Sequence, residues 1–181
     1  MILARIAVIA LLGMTLVSIV ACGSDSEQGP TPTPVFTTYT NSSEGFSISI
    51  PITWETLSMG DVGVFFSSDT TCSGRPAVAS VAPGAPNTSL QTSYERIKTG
   101  LEAQEGFDII SEEEITIDGI PAWKCIFTAA NLLEGHAIQT EFCVLVQENT
   151  SWLISFMCVP ECWDTYEDIF DTMLNSFQVL G

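Results

Sequence analysis

Basic residues are scarce in this chain. Five Lys and Arg face 22 Asp and Glu across 181 residues, a formal net charge of −17. One of the five, Arg5, sits in the first segment, so the remainder relies on Arg75, Arg96, Lys98 and Lys124. Nucleic acid is excluded as a partner, because neutralising phosphates takes clustered Lys and Arg. An anionic lipid surface would repel the same chain. Histidine is scarcer still: His136 stands alone. A His-dependent nucleophilic mechanism would have to use it, yet it follows Gly135 at a loop edge, and no G-x-S-x-G elbow occurs. It reads as a surface loop residue. There is no Walker loop and no Rossmann glycine pattern, so no cofactor is expected. Nor does any apolar run reach the ~20 residues that a membrane-spanning helix needs.

The longest apolar run, Ile6 to Ala21 (IAVIALLGMTLVSIVA), covers about 16 residues after a weakly basic start. That length suits the h-region of a secretion signal. It ends in Ile19-Val20-Ala21-Cys22, followed by Gly23-Ser24, which resembles the bacterial lipobox. The resemblance implies that residues 1–21 are removed and that Cys22 becomes the lipid-bearing N-terminus. Two or three acyl chains anchor stably, since each buried methylene contributes about 0.8 kcal/mol and one chain is marginal. Residues 22–38 are then a Pro/Thr/Ser-rich tether. Pro30, Pro32 and Pro34 each fix φ and remove an N–H, favouring an extended spacer of about 3.1 Å per residue. The expected location is the membrane, facing away from the cytoplasm.

Residues 39–181 fit one domain of ordinary size. Phe46 to Ile50 alternates apolar and polar as a half-buried strand does, and Pro51 stops it. Val62–Phe66 and Pro76–Val81 read as two more strands around a loop holding Cys72. Leu90, Tyr94, Ile97 and Leu101 then fall on one helical stripe, with a capping box from Thr88 to Gln91 and Gly106 in a C′ position. Phe107–Ile110, Glu113–Ile117, Ala122–Ala129, Ala137–Gln147 and Trp152–Cys158 read as strands. They are separated by turns at Asp118-Gly119, Asn131–Gly135 and Glu148–Ser151. Pro160 opens a final helix with Tyr166, Ile169, Phe170, Met173 and Phe177 on its apolar stripe. The pattern is α+β, an antiparallel sheet flanked by helices.

Three segments carry a family resemblance. Glu44-Gly-Phe-Ser-Ile-Ser-Ile-Pro-Ile-Thr-Trp54, Asp118-Gly-Ile-Pro-Ala122 and Met173-Leu-Asn-Ser-Phe177 resemble motifs of PsbP-like domains. The resemblance implies an α/β/α sandwich built on an antiparallel sheet. It implies no catalytic residues, because the shared motifs are packing positions, and function varies within such a fold. Trp54 and Phe177 are expected in the core.

Five cysteines remain once Cys22 is assigned to lipid: Cys72, Cys125, Cys143, Cys158 and Cys162. Outside the cytosol such thiols pair, so two bridges and one free thiol are expected. A hairpin centred near Glu134 would set Cys125 against Cys143. Cys162 would pair with Cys72 or Cys158, and loop-closure entropy favours the longer-range Cys72. Cys158-Val-Pro-Glu-Cys162 is one residue longer than the redox C-x-x-C spacing. The acids Asp164, Glu167, Asp168 and Asp171 share a helix face that could hold a divalent cation weakly, without the D-x-D-x-D-G loop of tight calcium sites. Glu112-Glu113-Glu114 reads as a solvated run. Asn41, Asn87 and Asn149 head N-x-S/T triplets that serve as turn and cap residues. The function expected is a non-enzymatic protein-interaction or complex-stabilising module with a protein partner. The alternative is small-ligand or cation binding.

Overall fold

The computed structural model describes residues 33–133 and 136–180. Two antiparallel sheets form the frame. The smaller has the order β1-β2-β10, from Phe36–Asn41 (β1), Phe46–Pro51 (β2) and Gln178–Val179 (β10). The larger follows the order β3-β4-β5-β9-β8-β7-β6. Its strands are Glu55–Ser58 (β3), Val64–Cys72 (β4), Arg75–Pro83 (β5), Asp108–Ile117 (β6), Ile120–Leu133 (β7), His136–Gln147 (β8) and Thr150–Cys158 (β9). Helix α1 is Leu90–Glu102 and helix α2 is Trp163–Asn175. The α+β architecture expected from the alternating periods is the observed one.

Elements pack on both faces of the large sheet. On one side α2 and the small sheet bury Val64, Phe66, Ala79, Ile154 and Phe156. On the other, α1 packs over β7 and β8 and buries Phe127, Phe142 and Val144 around Tyr94. Trp54 and Phe177 are 7% and 1% exposed. The Phe177 ring stacks on Phe46 at 5.6 Å, and Trp54 meets Tyr166 and Phe170 edge-on at 6.4 Å. Phe177 lies just beyond the end of α2. There Ser176 accepts a hydrogen bond from the Ser49 N–H (2.8 Å) and turns the chain into β10.

Local signals placed the elements well and their ends less well. β1 begins at Phe36, inside the stretch read as tether, and pairs along the whole of β2, Phe36 against Pro51 and Asn41 against Phe46. Its side chains, Phe36-Thr-Thr-Tyr-Thr-Asn, have high β-propensity once past the prolines. Residues 108–117 form one strand with an irregularity between Ile109 and Ser111 rather than two strands. The helix cap is Ser89, whose hydroxyl accepts the Thr92 N–H at 3.1 Å. Thr88 instead donates to the Ala85 carbonyl. Gly106 is not the C′ residue of α1, which ends with Ala103 as its cap. It sits at φ +68°, with Ala130 so close that a Cβ would lie 2.8 Å from the Ala130 Cβ. Asn87 and Asn149 do occupy turns, Asn87 with φ +54°, while Asn41 ends β1 and accepts from Ser43 and Glu44 of the turn that follows.

Candidate functional site

The cysteines separate into one bridge and three thiols. Cys72 at the end of β4 is bonded to Cys162 at the start of α2, 90 residues away, with Cα atoms 6.0 Å apart. The turn at Pro160–Cys162 folds the chain back from β9, so the bridge pins α2 to the end of the sheet. Cys125, Cys143 and Cys158 are free and buried. The expected Cys125–Cys143 pair does not form, because the register is one step away. Lys124 stands opposite Cys143 and Cys125 opposite Phe142, with an irregularity between Ala129 and Leu133 shifting the hairpin. Neighbouring residues on a strand face opposite sides, so Cys125 lies under α1 and Cys143 under α2.

The most concentrated chemistry lies beneath α2. Lys124 on β7 meets Glu141 on β8 at 3.3 Å and Asp171 on α2 at 3.8 Å. The Cys143 thiol points to the other oxygen of Glu141 at 3.7 Å. Glu141 is only 2% exposed. Burial raises its carboxyl above the ordinary range, and Lys124 offsets only part of that. Burial also works against the Lys124 ammonium, but the pull of Glu141 and Asp171 together is larger, so its affinity for a proton rises. The two shifts are compatible: Lys124 keeps some solvent and sees two carboxylates, while Glu141 is sealed and sees one cation. Burial and the adjacent Glu141 hold the Cys143 thiol well above its ordinary range. At neutral pH it is therefore a thiol, and a protonated thiol is a poor nucleophile. The Cys143–Glu141–Lys124 grouping is thus packed and buried beneath the helix.

A second cluster lies beneath α1. Lys98 on the helix pairs with Glu112 on β6 at 2.7 Å, tying the helix to the edge strand. The Tyr94 hydroxyl is buried without a hydrogen-bond partner. Burial, reinforced by Glu112 and Cys125, pushes it far above its ordinary range. Burial likewise raises the Cys125 thiol, and it pushes Cys158 up to about 12. None of the three free thiols has the lowered pKa that redox or nucleophilic work requires. An open cleft of about 600 Å³ lies at the far end of β1. It is bounded by Ser42–Gly45, the β8–β9 turn at Glu148, and Val179 and Leu180.

The model of the family described as PsbP-like protein matches residues 1–179. The chain belongs to the PsbP-like family. Among solved structures it is similar to the cyanobacterial PsbP, CyanoP, of Synechocystis sp. PCC 6803. That match has a TM-score of 0.60 at 17% identity, covering 87% of this chain and 99% of that one. It is also similar to LpqN, a Mycobacterium tuberculosis protein described as involved in cell envelope biogenesis. There the TM-score is 0.62 at 12% identity, over 82% and 90% of the two chains. A Pseudomonas aeruginosa protein of unknown function matches with a TM-score of 0.57 at 14% identity, over 78% and 94%. At such identities the likeness is one of fold. No curated protein matches the chain.

Cys22 lies outside the described residues. Asp164, Glu167, Asp168 and Asp171 are all exposed on α2, and Asp171 reaches from the helix to Lys124. Among the described residues no three His, Cys, Asp or Glu side chains converge as metal ligands would. His136 is exposed at the start of β8. Glu112, Glu113 and Glu114 are exposed on the edge strand β6, where repeated charge deters pairing with other chains. Among the described residues no helix is long and apolar enough to cross a membrane. The Lys124–Glu141–Asp171 cluster went unnoticed in the sequence, though a signal existed. In Thr140–Leu145, Glu141 shares the parity of Cys143 and Leu145, an inward position for which an acid demands a partner.

Proposed function

We propose that this PsbP-like chain is a lipid-anchored extracytoplasmic module, held by Cys22, that engages a protein partner or steadies a membrane complex and performs no catalysis. The observation that carries this reading is the Cys72–Cys162 bridge, since structural disulfides persist in oxidising compartments and are rare in the cytosol. The sealed and protonated state of Cys143 and Cys125 agrees with a non-catalytic role. So does the family, whose shared motifs here are the packing residues Phe46, Trp54 and Phe177. The involvement of LpqN in cell envelope biogenesis fits the same compartment.

Metabolic labelling with a radioactive fatty acid tests the anchor. The wild-type chain should carry label in the membrane fraction, and Cys22→Ala should carry none and remain uncleaved. Labelling of the Cys22→Ala chain would refute the anchor. Crosslinking in intact cells followed by purification tests the interaction role, and one reproducible protein partner is expected. A monomer whose melting temperature rises only with Ca²⁺ or a small ligand would favour a ligand-binding protein instead, because binding to the native state stabilises it by mass action.

A further inference from the structure

One face of the large sheet is only half covered. Directly paired residues on neighbouring strands point the same way, so the face under α1 can be followed outward from β8. Val144 pairs with Leu153 on β9, and Leu153 pairs with Ala82 on β5. Met157 pairs with Val78. On β4 and β3, Phe65 stands opposite Ser80, and Leu57 opposite Phe65. Leu57, Phe65, Val78, Ala82, Leu153 and Met157 therefore share one apolar surface. Where α1 lies over β7 and β8, the same face is closed, with Phe127, Phe142 and Val144 each at 2%. Leu153 packs at its edge, and beyond it the other five are exposed or half-buried, Leu57 at 60%. Their neighbours on the opposite face, Val64, Phe66, Ala79 and Ile154, are at 0–1%. The incomplete burial thus belongs to the face and not to the strands. The two hydroxyls at its centre, Ser80 and Ser155, bond each other at 2.7 Å and ask nothing of a partner.

We infer that this surface is a docking site for a cationic amphipathic helix of a partner protein, laid beside α1. The inference rests on the interaction-module reading above and names its surface. Dimensions support one helix. Strands lie about 4.8 Å apart and a helix is about 10 Å across, so α1 occupies the width of two strands. The span from β9 through β5 and β4 to β3 has room for one more helix. Charge selects the sign. The chain carries −17 overall, and Glu55 stands on this face opposite Ser67. Lys98 and Lys124 are committed to ion pairs elsewhere, one with Glu112 on β6 and the other under α2. A second copy of so acidic a chain is repelled. A helix with an apolar stripe flanked by Lys and Arg is attracted, and such helix-in-groove recognition needs anchors at i, i+3, i+4 and i+7.

A designed helical peptide of about 18 residues tests this directly. It carries leucines on one face, lysines on the other and a central benzophenone. The full chain in vesicles of zwitterionic lipid is the receptor, with empty vesicles as blank. Binding read by anisotropy should be lost at least tenfold when Phe65→Ser, Val78→Ser and Met157→Ser are combined. It should be unchanged by Ile52→Ser, an equally apolar but remote exposed site, 58% exposed. Photo-crosslinks should map to β4, β5 and β9, and a glutamate-faced analogue should not bind. Equal binding to the triple variant with a native far-UV spectrum, equal binding of a scrambled peptide with the same lysines, or crosslinks elsewhere would each overturn the proposal. A native partner crosslinked to another surface would overturn this face and leave the interaction role standing. The designed peptide held here with no partner found in cells would do the reverse.

Discussion

Breaking the Cys72–Cys162 bridge should lower the melting temperature by about 10–15 °C. The bridge closes a loop across 90 residues. In the chain-entropy description this removes roughly 2.1 + 1.5R ln n cal/mol/K from the unfolded chain, about 4.6 kcal/mol at 25 °C. The unfolding entropy of a domain of roughly 145 residues is about 0.3 kcal/mol per kelvin, which converts that free energy to the stated shift. The perturbation is a paired one: Cys72→Ala with Cys162→Ala, and the wild-type chain reduced by a phosphine. Cys162 is fully buried and Cys72 only partly so, so the reductant has a route through Cys72. Circular dichroism at constant scan rate follows unfolding, with Cys158→Ala as a control that touches no bridge. A fall below about 3 °C in both paired experiments would refute the reasoning. So would non-reducing peptide mapping that finds Cys72 and Cys162 alkylated in the native protein.

Gly106→Ala should destabilise the domain by about 2–4 kcal/mol in urea unfolding, from the left-handed φ of +68° together with the 2.8 Å approach to Ala130; a loss under 0.5 kcal/mol would contradict it. Lys124→Met should cost about 3–5 kcal/mol by leaving the buried Glu141 carboxylate uncompensated, and adding Glu141→Gln should recover most of that in a double-mutant cycle. The Glu141 carboxyl is raised by burial, so the unfolded chain loses this proton first and its term in stability declines as pH rises above about 4.5. Glu141→Gln should therefore flatten the pH dependence of unfolding free energy from pH 4.5 upward, and parallel profiles would refute the assignment. Phe177→Ala should cost about 3–5 kcal/mol by guanidinium unfolding, since its ring packs between Phe46 and Trp152.

Patterns of period two and 3.6 depend only on neighbours along the chain, and they located both helices and most of the long strands, while β6 was read as two pieces and the second half of β4 as loop. The same local reading marked the stripe of α2 with Phe177 as core, because an apolar residue at a face-consistent position has nowhere else to go, whereas Trp54 was expected there from the family resemblance of its segment. Small shifts lay beyond it. A half-residue error in the centre of the β7–β8 hairpin is invisible along the chain. Yet it decides whether Cys125 and Cys143 share a face, and the irregularity after Ala129 settles it against the bridge. β1 went unread because its stabilisation comes from pairing with β2, a contact that no local pattern records. The lipobox-like segment at Ile19–Cys22, the acidity and the scarcity of bases are properties of sequence alone. Only the tertiary structure decided which acid is buried beside Lys124, which cysteine meets Cys72 and which half of the sheet α1 leaves open, because each depends on residues that are distant in sequence arriving at one place.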